Sequence, residues 1–361
     1  MATKNQHYVP QFLLRNFSNS DNSENRIHLY DMHKGEVRRN QSIKNVCSGN
    51  YTYDKDNETE NFLSEHIEAP AAVEIESIIS PSRALPPIAR EALLKFILVQ
   101  MHRTRRAYRG NIDFINSMMK TVFGEMARLN NGDVSRATEF RITPSEPRVV
   151  LSYTSVYAAT LYPLLSDLSL FLAINKTSEE FIISDHPVFQ YNWHLRDSSH
   201  ALSNSMTAHG VQFFMPISPE ITLCLYDPAI YVYRSQSHSG ISEISLADVK
   251  ILNSLQALNA DALLIARSEK MLPVIQALGD HYAEKQAFTF SSGWSPATPR
   301  DDGTIRSTHM AQRIQTKIPS LPSFIKVKNK VRRRPVECGH RNPGIVRQLE
   351  IRDEKLGLRK K

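Results

Sequence analysis

The chain has 361 residues, 41% of them hydrophobic and 22% charged, an ordinary globular composition with room for one large domain or two smaller ones. Its three cysteines, Cys47, Cys224 and Cys338, stand far apart without a CxxC pair, which argues against a disulfide framework and a thiolate zinc site and fits a reducing cytoplasm. The net charge is +7, no apolar run approaches the roughly 18 residues that span a bilayer, and the N-terminal apolar stretch is broken by Pro10, Gln11 and Arg15, so neither a membrane anchor nor a signal peptide is predicted.

The first segment, HYVPQFLLRNF, reads as a helix started by Pro10, where a missing N–H costs nothing. Phe12, Leu13 and Phe17 form its apolar face, and Gln11 and Arg15, four apart, its polar one. RIHLYDM predicts a strand and KGEV a turn into a second. IKNVCSGNYTYD predicts a strand and loop leading to a short aromatic strand. Residues 59–79 carry apolar residues at helical period, with Pro70 as a break or kink, and PSRALPP is a loop. The strongest helix spans 88–109, a second 111–129 ending at NNGD, and a weaker one 148–166. LSLFLAI, EFIIS, VQFFMPI and ITLCLYD are then short β-rich runs, followed by a helix over 245–257 and a last strand in ADALLIARS.

This order predicts an α+β fold: a mixed or antiparallel sheet of about four to six strands packed with several helices, in one domain over residues 1–290. Residues 291–361 read as loop and a basic, flexible tail. Positions 326–361 hold 13 Lys and Arg against 4 Asp and Glu, so the positive balance belongs to the tail. Such a tail could contact nucleic acid, or be a solvated extension.

No P-loop, GxGxxG, GxSxG or HExxH motif is present, and no motif specifies a metal or a cofactor. Four places hold polar residues in apolar surroundings. Gln100 and Arg103 share a helix face in KFILVQMHRTRR, where a guanidinium and an amide could clamp a phosphate or carboxylate, or simply end a solvated helix. Asp185 and His186 follow a strand in EFIISDHPVFQY, as a base or metal ligand and a proton carrier, or as a turn cap. Asn253 sits among apolar helix residues, as a core hydrogen-bonding device or part of a polar site. Glu68 is a candidate partner for Arg103 or Arg15.

HYVPQF, IKNVCSGNYTYD, FLSEHIEAPAA, the Q-x-x-R of Gln100 and Arg103, IISDHPV, FMPISPEITLCLYD and the Asn253 helix occur in the order of the bacterial DUF4238 family, which the chain resembles over about residues 5–270. The family pattern more often has SDNP where this chain has SDHP, which weakens a family role for His186 in particular. The resemblance implies an uncharacterised bacterial cytoplasmic protein, with relatives associated with defence against phage. It also implies a role for His7, Gln100, Arg103 and Asp185, which match family motifs. The expected function is an enzyme acting on nucleic acid or a nucleotide, a nuclease or another hydrolase or transferase. In it His7 is a general acid or base, Asp185 a base or metal ligand, Arg103 an anion clamp and Gln100 its orienter. The alternative is a non-catalytic binding or sensing protein that contacts nucleic acid through the tail.

Overall fold

The computed structural model of the chain describes residues 4–19, 24–80, 91–198, 200, 202–234, 240–285, 287–294, 298–299, 305–306, 309–333 and 336–358. β1 (Asn5–His7) and α1 (Gln11–Arg15) are followed by a hairpin of β2 (Arg26–Asp31) and β3 (Glu36–Ser42), and then by β4 (Ser48–Asn50), which pairs antiparallel with β1. Leu13, Leu14 and Phe17 are buried, and the Phe12 ring packs on Phe96 at 5.3 Å. The aromatic strand expected after β4 does not form. Tyr51 turns into the left-handed region at φ 50°, and the Tyr53 N–H is taken by the Gln6 side chain instead of a ladder.

α2 (Glu58–Leu63) runs through a π-helical turn, Ser64–Glu68, into α3 (Ala69–Ile79). The irregularity expected at Pro70 is this turn. Proline gives no N–H to the ladder and crowds the preceding turn, and the wider π geometry accommodates it without ending the helix. The PSRALPP loop lies outside the described residues. α4 (Glu91–His102) stops two residues before α5 (Arg105–Leu129), so the expected boundary near residue 110 is instead at Thr104. Thr104 is extended there, and its hydroxyl accepts from the Ala107 N–H at 3.2 Å, an N-cap that starts the new helix. α6 (Ser135–Glu139) and α7 (Pro147–Ala159) complete the helical half.

The strand-rich half runs β5 (Ser169–Asn175), β6 (Ile183–Ser184), β7 (Phe189–Tyr191), β8 (Gln212–Ser218), β9 (Ile221–Tyr226), β10 (Tyr231–Tyr233), β11 (Ile241–Ile244), α8 (Leu246–Asn259), β12 (Leu263–Ala266) and α9 (Leu272–Tyr282). These strands sort into two main sheets. One has the order β11-β5-β9-β8-β7, with only β11–β5 parallel; the other, antiparallel throughout, is β3-β2-β12-β6, so the N-terminal hairpin does join later strands. The fold is α+β. The five-stranded sheet is buried on both faces: Leu170, Leu172, Phe213 and Met215 enter the core shared with α1, α3 and α4, while Phe171, Ala173, Phe214 and Cys224 pack with α8. Each leucine, phenylalanine and methionine among them contributes roughly 1.5–3 kcal/mol relative to exposure.

Past residue 287 the composition reads as loop, yet β13 (Phe288–Trp294) pairs with β16 (His309–Gln315), beyond a ribbon of β14 (Thr298–Pro299) and β15 (Ile305–Arg306). β17 (Ile325–Val327) pairs with β10, and α10 (Asn329–Arg333) and α11 (Pro343–Lys355) follow. Arg341 anchors this end. Its side chain is 4% exposed, bonds both Asp167 carboxylate oxygens at 2.9 and 3.1 Å, and donates to the carbonyls of Leu164, Met206 and Ala208. The Tyr157 hydroxyl donates to Asp353 at 2.6 Å, tying α11 to α7. No described helix is long and apolar enough to cross a membrane.

Arg341→Ala leaves Asp167 and three carbonyls without their donor, and should cost about 2–4 kcal/mol in urea unfolding. A loss below about 1 kcal/mol would show that the C-terminal segment is not anchored through this residue.

Candidate functional site

The residues singled out in the sequence fall into two sets. His7, Gln100, Arg103 and Glu68 meet in one network beneath the N-terminal strand. Arg103 has no exposed surface; its Nε donates to Gln100 Oε1 at 2.9 Å and its Nη1 to Glu68 Oε1 at 2.6 Å. Gln100 Nε2 donates in turn to the Tyr8 carbonyl at 2.8 Å, and the Tyr53 hydroxyl to the His7 carbonyl at 3.2 Å. The π turn is what presents Glu68 to the guanidinium, since Glu68 is its last residue. His7 lies beside them with Nε2 3.4 Å from the Ile43 carbonyl; burial lowers its pKa, and Arg103 acts in the same direction against Glu68. Glu60, on α2, is pushed up to about 7, first by burial and then by Glu68. Gln11 is half-buried and Arg15 exposed, and neither joins the network. Arg103 rather than Arg15 is therefore the partner of Glu68.

Asp185 and Asn253 bind backbone elsewhere. The Asp185 carboxylate accepts from the amides of Asp261 and Ala262 at 2.8 and 2.9 Å, pinning the turn between α8 and β12 to the end of β6. Burial, then the Asp261 carboxylate, push its pKa up to about 7 against those amides. Asn253 Nδ2 donates to the Glu180 carbonyl at 2.9 Å and its Oδ1 accepts from Ile182 N–H at 3.0 Å. It is the first of three amides spaced three apart on one face of α8. Gln256 accepts from Ser184 and donates to the Pro187 carbonyl at 2.8 Å; Asn259 donates to the carbonyls of His186 and Val188. Three side chains thus replace a strand along residues 180–188. The spacing was the available signal for the last two.

This ladder holds His186 where its ring meets the α4–α5 corner: Thr104 Oγ1 and His186 Nδ1 are 2.7 Å apart, which leaves Nε2 for a ligand. His186 lines a cleft of about 330 Å³ between α5 and the β13–β16 hairpin, with His102, Asn204, Arg313, Phe114, Phe288 and Phe290. Among the described residues no carboxylate lines it. His102 Nε2, Asn204 Nδ2 and Arg313 Nε are buried without hydrogen-bond partners among the described residues. Burial, then Arg313, depress the His102 pKa to about 4; burial, then Arg106, depress Arg313 to about 9. His186 is pushed well down by burial, then by Arg106 and Arg313. The Arg313 guanidinium lies over the Phe288 ring, 3.4 Å from its centroid. A second cavity of about 350 Å³ adjoins across Gly110, Phe288 and Phe290, with Arg106, Arg109, Asp113 and Asp261 in its wall. Arg109 pairs with Asp261.

The cleft sets one guanidinium, Arg313, beside two imidazoles that burial keeps neutral at pH 7. His102, Arg106, Arg313 and the three phenylalanines were not singled out in the sequence. His102 and Arg106 flank Arg103 in QMHRTRR, and Arg313 reaches the cleft only through the β13–β16 pairing. Among the described residues no three His, Cys, Asp or Glu side chains are grouped to hold a metal ion.

Glu68→Ala strips the buried Arg103 of its counter-charge and should cost about 2–4 kcal/mol in urea unfolding, Glu68 itself being partly exposed. A cost below about 1 kcal/mol would mean that water, not Glu68, satisfies the guanidinium.

Residues 5–270 match the model of a family described as a protein of unknown function, DUF4238, while no curated protein and no solved structure matches the chain. The matched span holds the N-terminal network, the α4–α5 corner and the SDHP segment; the β13–β16 wall lies beyond it. On a match over most of its length, the chain belongs to the DUF4238 family.

Proposed function

We propose that the protein binds the phosphate of a nucleotide or nucleic acid in the cleft between α5 and β13–β16 and hydrolyses a phosphate ester there. The observation that carries this reading is the set of unpartnered buried nitrogens on His102, Asn204 and Arg313 in one cleft wall that has no carboxylate among the described residues. Buried donors and like charges without acceptors are costly, and an oxyanion relieves both at once. A guanidinium matches phosphate bidentately, and the aromatic walls suit a base.

The chemistry follows from the imidazoles. His186, oriented by Thr104, takes a proton from water as the water oxygen bonds to phosphorus. The ester P–O bond breaks, and the leaving oxygen takes a proton from His102, which the bound anion has protonated. Arg106 and Arg313 hold the charge on the phosphoryl oxygens. His7, Gln100, Arg103 and Asp185 then act as positioning residues: the first three set the α4–α5 corner and Asp185 sets the floor.

In a bacterial cytoplasm, where Cys47, Cys224 and Cys338 would stay free as they are here, such an activity on phage or host nucleic acid would serve a defence effector. The non-catalytic alternative draws less support. Of the tail's cations, Arg341 is occupied by Asp167 and carbonyls, and Arg352 by Asp353 and the Thr160 carbonyl.

His186→Ala should lower hydrolysis of labelled single-stranded DNA, RNA or nucleotides by about 100-fold or more, and Arg313→Ala should weaken phosphate binding by about tenfold, both with melting temperatures within a few degrees of wild type. Full activity in His186→Ala, with loss in His7→Ala at unchanged melting temperature, would move the chemistry to the N-terminal network.

Binding should also depend on pH. Free His102 is neutral above about pH 4, and a bound anion raises its pKa, so the complex holds more protons than the free protein. Affinity for a phosphodiester, which does not itself titrate here, should therefore rise as pH falls from about 8 to about 5.5. Flat affinity over that range would remove His102 from the anion site.

A further inference from the structure

We infer that the two adjoining cavities together form the seat of a single-stranded polynucleotide, with the second cavity taking a nucleoside next to the phosphate; this rests on the phosphate reading above. Each cavity, at about 330 and 350 Å³, lies at the lower end of the range for small-molecule sites, so one nucleotide occupies one of them. They differ in chemistry. Among the described residues the first has one guanidinium, Arg313, and two imidazoles without a carboxylate, while the second sets Asp113 and Asp261 beside Arg106 and Arg109. A mixture of donors and acceptors suits base edges and ribose hydroxyls, whereas a bare phosphate suits only the first.

The shared wall supplies the stacking surface. Phe288 and Phe290 line both cavities, and their rings meet at 72° with centroids 5.4 Å apart. One base cannot stack on both rings at that angle, and the Arg313 guanidinium already covers one face of Phe288, so Phe290 offers the stacking face for the base next to the phosphate. Arg106 and Arg109 lie three apart, on one face of α5, where they can follow the backbone of a strand. Bases stacked inside a duplex cannot reach half-buried rings, so the strand is single.

The test is fluorescence anisotropy on His186→Gln, which keeps the ligand intact, with a labelled oligonucleotide of about six residues competed by inorganic phosphate, a nucleoside monophosphate and a duplex of the same sequence. The single strand should bind at least about tenfold tighter than the monophosphate. Phe290→Ala should weaken the oligonucleotide by about tenfold and leave inorganic phosphate within about twofold. If Phe290→Ala lowers the melting temperature, Phe290→Leu keeps the packing and removes the ring face, and should give the same split. Equal affinity for oligonucleotide and monophosphate, duplex binding as tight as single-strand binding, or equal weakening of all ligands by the Phe290 variants would overturn the inference while leaving the phosphate site in place. A failure of the phosphate site itself would look different: Arg313→Ala would change the affinity of no ligand.

Discussion

A guanidinium with no exposed surface must find its counter-charge and its acceptors inside the protein, and Arg103 is such a group. Glu68 reaches it from a π turn, and Gln100 joins it to the Tyr8 carbonyl. The N-terminal strand, α2–α3 and α4 are thereby fixed to one another at a single point. The pair need not add much stability to have this effect. Its weight lies in the cost of every arrangement in which the charge is buried alone. Arg103 turns inward beside the break at Thr104, where His102 reaches the cleft and Arg106 the cavity that adjoins it.

The opposite wall is assembled by a second set of buried polar groups. Asn253, Gln256 and Asn259 hold residues 180–188 through their main chain, and Asp185 holds the turn that carries Asp261. Thr104 and His186 then join the two halves by one short hydrogen bond. These contacts are satisfied on both sides, as buried polar networks must be if they are to fix one arrangement. Among the described residues, three of the buried side-chain atoms left without a partner, on His102, Asn204 and Arg313, share the cleft, while Nη2 of Arg103 is one of those that lie elsewhere. A well-bonded frame beside several unpartnered buried nitrogens in one cleft is the pattern expected of a binding site rather than of a core.

Much of this frame was legible in the sequence, because it depends on local spacing. Gln100 and Arg103 share a face by being three apart, Pro10 starts α1, and short β-rich apolar runs give β5, β8 and β9. Thr104 inside RTRR was a readable N-cap, and the spacing of Gln256 and Asn259 after Asn253 a readable ladder. The cleft was not legible. The Ser and Gly of FTFSSGW hide the alternation of Phe288 and Phe290, and Arg313 reaches Phe288 through a pairing that sequence period alone does not specify. His102 looks like any helical histidine until the hairpin closes over it.

The ligand is assigned to one cluster or the other most directly by the ring nitrogen shifts of the histidines, followed by NMR as a short single-stranded oligonucleotide is added to His186→Gln and to the wild-type protein held with a non-hydrolysable phosphorothioate analogue. The prediction is that His102 shifts toward the protonated form in both, that His186 in the wild type moves but stays neutral, and that His7 stays where it is. A shift of His7 with His102 and His186 unmoved would place the ligand on the Arg103 network and contradict the cleft.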